Sequence, residues 1–326
     1  MDTRRDFIKK IGISGASLTI SNTSNQNLSH RRQIKFGICT DVHKDIMHDA
    51  NERLQSFIDE ASLSNLDFII QLGDFCCPNT QNLSFLAIWN SYIGDKYHVL
   101  GNHDTDGGFS KAQVIKYWNS LGSYYSFDCQ GYHFVVLDGN EKNPTSSCPG
   151  GYDRYIGEEQ LKWLENDLQV TSLPTIIFCH QGLDNDVSGI TNATRCRFLL
   201  EECNRKSGFQ KVKVVFSGHH HLDYHNQINA IHYVQINSMS YQWLGEAYQT
   251  ERYDEHIQKS HPWIKYTVPY KDPIWATVEI FDNRTMRIKG KNTVFVGLSP
   301  KQLYVNPSTW VYPITPTISD RSISLR

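Results

Sequence analysis

Apolar runs alternate with amphipathic stretches along most of this 326-residue chain. Ile34 to Cys39, Phe68 to Leu72, Ile176 to Cys179 and Val212 to Phe216 are apolar but for Lys35, Gln71 and Lys213, and they have the length of buried strands. Tyr97 to Leu100 is a shorter run of the same kind. Leu54, Phe57, Ile58 and Ala61 recur at helical spacing and predict a helix over Asn51 to Leu63. Further helices are expected over Leu83 to Ile93, Lys111 to Leu121, Glu158 to Leu168 and Thr194 to Asn204. Strands alternating with helices predict an α/β architecture. The rhythm changes at Tyr124 to Phe127 and His133 to Leu137, which flank Gln130-Gly131 and predict antiparallel strands of a second sheet. His225 to Ile228 and Ile231 to Ile236 would extend it, and Trp275 to Phe281 with Met286 to Lys289 predict a closing hairpin around Asp282-Asn283.

These elements place one domain over residues 31–298, with loop insertions at 139–156 and 241–273 and a Pro/Ser/Thr-rich tail at 299–326. No apolar run approaches the eighteen or more residues of a membrane span, so no transmembrane segment is expected. The formal charge is −2, from 32 basic and 34 acidic residues, and no Lys/Arg-rich block follows the first thirty positions. Stable binding to a nucleic-acid backbone needs such a positive surface, and a nuclease acting on long polymers is disfavoured.

Five short stretches following the strand runs carry the candidate chemistry: Asp41-Val42-His43, Gly73-Asp74, Gly101-Asn102-His103-Asp104, His180 and Gly218-His219-His220-His221. Carboxylates and neutral imidazoles are the side chains that zinc, manganese and iron bind. Ligands at the ends of several parallel strands meet at one edge of a sheet, where open α/β sheets place their sites.

In this order the stretches resemble the signature of the calcineurin-like metallophosphoesterase superfamily, D-x-H, GD, GNH[D/E], H, GHxH, over roughly residues 33–240. The resemblance implies two mixed β-sheets packed as a sandwich flanked by helices. It implies two divalent metal ions, manganese, zinc or iron, with Asp41, His43 and His221 on the first, Asn102, His180 and His219 on the second, and Asp74 bridging both. The expected activity is hydrolysis of a small phosphomonoester, phosphodiester or pyrophosphate by a hydroxide held between the metals, nearest to cyclic-nucleotide phosphodiesterases and nucleotide pyrophosphatases. The alternatives are a non-catalytic scaffold on the same fold, or a nuclease. Purple acid phosphatases carry a metal-binding Tyr three residues after the Asp of the GD block; Cys77 stands there, so no tyrosinate centre is expected.

His103 is expected to serve the leaving-group oxygen as general acid or electrostatic stabiliser, with Asp104 holding its ring in one tautomer. His220, between two ligands, should face away if that run is extended. Asp45, Asp138, Asn140 and Asp184 are candidates to support the ligands. Arg154 is the only arginine of the 139–156 loop and is the candidate for binding substrate phosphate. The aromatics of 241–273 either stack a nucleobase or sugar or, more simply, pack that long connection. Of the eight cysteines, Cys39 and Cys179 are expected to fill core space, and Cys76 and Cys77 to stay off the metals. The opening Thr3-Arg4-Arg5-Asp6-Phe7-Ile8-Lys9, before a weakly apolar Ile11 to Ile20, resembles a twin-arginine signal. It implies the export machinery as a partner and a periplasmic or otherwise exported location, with residues 1–30 set apart as signal and linker.

Overall fold

A computed structural model describes residues 31–145, 151–185 and 187–326. The expected export segment at 1–30 and Cys148 lie outside the described residues. The chain runs β1 (Arg32–Cys39), α1 (Ala50–Leu63), β2 (Phe68–Gln71), α2 (Leu83–Asn90), β3 (Asp95–His98), α3 (Lys111–Trp118), β4 (Tyr125–Cys129), β5 (Tyr132–Leu137), α4 (Glu158–Val170) and β6 (Thr175–Cys179). It continues through α5 (Ala193–Ser207), β7 (Val212–Ser217), β8 (Tyr224–Ile228), β9 (Ile231–Gln235), β10 (Tyr241–Trp243), α6 (Glu255–Ser260), β11 (Thr267–Pro269), β12 (Ala276–Phe281), β13 (Thr285–Lys289) and β14 (Arg321–Ser324).

Two six-stranded mixed sheets form, ordered β14-β13-β12-β1-β2-β3 and β4-β5-β6-β7-β9-β8. Strands β1, β2 and β3 run parallel in the first, and β5, β6, β7 and β9 in the second. Alternation decides the layers. Ile34, Phe36 and Ile38 of β1 face Phe134, Phe178 and Phe216 of the other sheet in a core that both sheets share. The opposite faces, with Cys39 and Ile69 on one side and Val135, Ile177 and Cys179 on the other, take α1 to α3 and α4 with α5 respectively. Strands covered on both faces read as near-continuous apolar runs for this reason. The result is the sandwich flanked by helices that the sequence predicts.

Three segments differ from the sequence reading. Strand β3 sits two residues early, at the sheet edge, where its last pairing is His98 with Gln71 and only backbone register sets its length. Residues 241–273, expected irregular, hold the two-stranded ribbon of β10 and β11 and helix α6. Three-residue strands are too short to show a period. Within the closing segment, read as a tail by composition, β14 pairs antiparallel with β13, and Ile318, Ile323 and Leu325 are buried in the inter-sheet core. Two alternating apolar residues are easily hidden among serines. Among the described residues no helix is long and apolar enough to cross a membrane.

Candidate metal centre

The turns that follow β1, β2, β3, β6 and β7 meet at one end of the sandwich and bring all five motifs together. Asp41, His43 and His221 form one triad, and Asp74, His180 and His219 another, with the potential ligand atoms of each within 4.8 Å of one another. The Nε2 atoms of His43 and His221 face each other at 3.1 Å, and His221 Nε2 lies 3.1 Å from Asp41 Oδ1. Asp74 Oδ2 lies 3.7 Å from His43 Nε2 and 3.2 Å from His180 Nε2, so one carboxylate oxygen adjoins both triads.

The ring protons are placed by backbone carbonyls. His180 Nδ1 donates to Leu72 O at 2.7 Å and His221 Nδ1 to Tyr241 O at 2.8 Å, which leaves each Nε2 lone pair turned to the triads. Asn102 Oδ1 is buried with no hydrogen-bond partner among the described residues, and His180 Nε2 has only the Asp74 carboxylate, at 3.2 Å, beside it. An unsatisfied buried polar atom costs about 1–3 kcal/mol, and a bound cation is the partner that an amide oxygen and an imidazole lone pair can share. The donor set therefore fits a metal pair on the structure's own evidence.

The backbone is bent hard to achieve this. Asp41, His43, Asp74, His219 and His221 have φ of 51°, 52°, 52°, 71° and 52°, a left-handed conformation that costs a non-glycine residue about 1 kcal/mol or more. Interlocking hydrogen bonds hold it. Asp41 N donates to Gly73 O at 3.0 Å and His43 N to Asp74 O at 2.9 Å, while the Ser238 and Ser240 hydroxyls donate to the carbonyls of Asp41 and Val42, each at 2.9 Å. The turns also approach too closely for side chains. A Cβ on Gly101 would land on the Asp74 backbone nitrogen and carboxylate, and one on Gly218 on the Thr40 hydroxyl and the Asp41 carboxylate.

Charge follows the same plan. Burial holds His43 down to about 3 and His219 well below the ordinary imidazole range, so both offer lone pairs. Burial opposes ionisation of Asp74, yet His180 and His103 hold it well below the usual carboxylate range. Burial also disfavours the charged imidazoles of His180 and His103, but the Asp74 carboxylate raises each to about 9.

Asp104 is corrected by the structure. Its buried carboxylate accepts the backbone N–H groups of Asp74, Phe75 and Gly101 at 3.0, 2.7 and 2.7 Å, tying two motif turns together, and it makes no hydrogen bond with the His103 ring among the described residues. The ring is held by Asp106, whose Oδ2 lies 2.7 Å from His103 Nδ1. Tyr152 reaches in from the 139–156 loop, its hydroxyl 3.0 Å from the same Nδ1 and donating to Asp106 Oδ1 at 2.8 Å. The signal for Asp106 was present: in a 3₁₀ turn, as at His103–Thr105, side chains three apart share a face. Tyr241, a residue the sequence reading left among the aromatics, is buried with its ring 4.9 Å from both His43 and His221.

The remaining candidates divide. His220 turns away, its Nε2 donating to Val187 O at 2.9 Å. Cys77 donates its thiol proton to His103 O at 3.3 Å, and burial and Asp45 push that thiol above its usual range, which suits a donor and not a ligand. Asn140 donates to Leu100 O at 2.8 Å and accepts from Gln181 at 2.6 Å, joining the residues beside Asn102 and His180. Asp45 clamps Cys77 N and Asn82, Asp138 binds Lys111 and Asn140, and Asp184 binds Asn226. Arg154 is not brought to the triads. Its carbonyl accepts from Thr191, and its guanidinium makes no hydrogen bond or ion pair with a triad residue among the described residues.

Comparison with known proteins agrees with this geometry. The family of calcineurin-like phosphoesterases matches residues 34–223. A manganese-dependent ADP-ribose/CDP-alcohol diphosphatase of Arabidopsis thaliana is 27% identical over 206 residues, 48% of this chain and 65% of that protein, so the chain spans just under two thirds of that relative's length. A 3′,5′-cyclic-nucleotide phosphodiesterase of Nostoc is 23% identical over 270 residues, 77% of this chain and 93% of that protein. A dimetal phosphatase from Danio rerio superposes with a TM-score of 0.60 at 16% identity, covering 82% of this chain and 100% of that one, a likeness of fold. The chain belongs to the calcineurin-like phosphoesterase family, and its two adjoining triads form a donor set suited to a pair of divalent metal ions.

Proposed function

We propose that the protein hydrolyses a small nucleotidic phosphodiester or diphosphate, with Asp41, His43 and His221 holding one metal, Asn102, His180 and His219 the other, and Asp74 shared. The observation that carries the metal assignment is the position of Asp74 Oδ2, 3.7 Å from His43 Nε2 and 3.2 Å from His180 Nε2. The substrate class is supported by the two relatives named for nucleotide esters and diphosphates. When bound, a metal pair lowers the pKa of a coordinated water and offsets charge on the phosphoryl oxygens. Neutral His43 and His219 add no negative charge, so with only two carboxylates among the ligands a pair of dications held there would keep a net positive charge that attracts an anionic phosphate. His103, kept protonated by Asp74 and Asp106, delivers a proton from Nε2 to the departing oxygen while Asp106 fixes Nδ1.

A hydrolysis panel on manganese-loaded protein tests this, comparing nitrophenyl phosphate, bis-nitrophenyl phosphate, ADP-ribose and cyclic AMP. The diesters and diphosphates should turn over with the higher kcat/KM. Preference for the monoester would overturn the substrate class, and no hydrolysis at all would favour a scaffold.

Metal affinity should depend on pH in a definite direction. In the ion-free protein His180 carries a proton up to about pH 9 because Asp74 outweighs burial. A dication must expel that proton, so the apparent affinity for manganese should rise by roughly tenfold per pH unit from about pH 6 and level off above about pH 9. Chelator competition across that range measures it. An affinity independent of pH would show that no proton stands in the site.

We further propose export by the twin-arginine route, on the strength of Arg4-Arg5 in the Thr3 to Lys9 motif. Changing both arginines to Lys should retain the protein in the cytoplasm with its specific activity intact, because the two candidate ligand triads lie within residues 41–221, well beyond the Thr3 to Lys9 motif. Cell fractionation that finds the double variant still exported would remove the proposal.

A further inference from the structure

The 241–273 segment carries more aromatic rings than its packing uses. Tyr253 rests on His48 at 4.4 Å between ring centres, Tyr270 is fully buried and donates to Asn237 Oδ1 at 3.0 Å, and Tyr241 lies against the metal-site histidines. Those three explain themselves. Trp243 and Trp263 do not: they are 39% and 58% exposed, and each ring lies 5.8 Å from the Tyr266 ring between them. An open cluster of three aromatic rings is a surface feature that solvation alone disfavours.

Its place relative to the metal centre is set by the strand. Tyr241 and Trp243 are two apart on β10, which β11 holds flat by pairing Tyr241 with Pro269 and Trp243 with Thr267. Alternate residues of a strand share a face, so Trp243 stands on the same side of the strand as Tyr241, about 7 Å along it from the residue that lies against His43 and His221.

We propose that Trp243, with Tyr266 and Trp263, forms a stacking subsite for the nucleobase of the substrate. This rests on the nucleotidic reading above. Every base presents a flat π-face, so such a platform binds without hydrogen-bond readout and tolerates different bases. Orientation follows: the base lies outward over β10, and the phosphorus sits at the triads.

Two measurements on manganese-loaded protein separate this subsite from the reaction. In the first, adenosine monophosphate is titrated while tryptophan emission is followed; the subsite predicts saturable quenching, which Trp243→Ala diminishes and Trp243→Phe largely keeps. In the second, kcat/KM is compared for ADP-ribose and for the same diphosphate lacking its adenine. Wild type should prefer the base-bearing ester, and Trp243→Ala should reduce that preference by about tenfold. A preference unchanged in Trp243→Ala, or quenching unaltered by the substitution, would overturn the subsite. If neither ester is hydrolysed the proposed substrate class fails, while the quenching titration still decides whether the rings bind a base.

Discussion

Asp74→Ala is expected to lose both metal ions together and to reduce turnover by on the order of 10⁴-fold, the scale seen when a catalytic unit is dismantled. Among the described residues Asp74 reaches across the triads most closely, 3.7 Å from His43 Nε2 and 3.2 Å from His180 Nε2, against 4.0 Å from Asp41 to His180. Its second oxygen accepts the His103 backbone N–H at 2.8 Å, so the same change also frees the turn that carries the proton donor. Elemental analysis after manganese loading should find wild type approaching two ions per chain and the variant well below one. His221→Ala, which removes a ligand of the first triad alone, is the comparison and should keep the second ion. A full complement of one tightly held metal in Asp74→Ala would show that the carboxylate is not shared.

The second large effect is expected at His103. His103→Ala should retain its metals and lose about a hundredfold in kcat, the range for a general acid. The loss should shrink with a good leaving group, which departs without a proton, and equal losses on good and poor leaving groups would argue for a positioning role. The two neighbouring carboxylates should then separate. Asp106→Asn keeps the turns intact and impairs the same proton transfer, because it weakens the 2.7 Å contact to Nδ1. Asp104→Ala leaves three backbone N–H groups unsatisfied in the interior and should lower metal content instead. If Asp104→Ala instead keeps its metals and reproduces the leaving-group pattern of His103→Ala, Asp104 and not Asp106 orients the His103 ring.

How much of this was legible in the chain depends on what each signal measures. The strand and helix rhythm was readable because strands buried on both faces are near-continuously apolar, as Phe68 to Gln71 is, and helices on one face keep their spacing, as Leu54, Phe57, Ile58 and Ala61 do. The motif residues were readable because their order along the chain is distinctive, and the structure gathers Asp41, His43, His221, Asp74, His180 and His219 at one edge. What escaped was whatever depends on one side chain's direction. Asp104 and Asp106 differ in sequence by two positions and in space by opposite faces of a turn. Tyr152 comes from a loop whose path no periodicity encodes. Strand β14 rests on Ile323 and Leu325, too few residues to stand out in a Ser- and Thr-rich segment.

The left-handed backbone at five ligating positions sets a conflict for anyone who would engineer this protein. Glycine adopts that conformation freely, and a glycine at His219 would shed both the backbone strain and a half-buried imidazole that has no metal to serve in the ion-free protein. Heat tolerance and catalysis therefore select opposite residues at the same site. A library ranked only by survival on heating without metal would drift towards glycine there and return a sturdier, inert sandwich, whereas the same library heated with manganese present would be held to its histidines by the ligand's own stabilisation of the folded state.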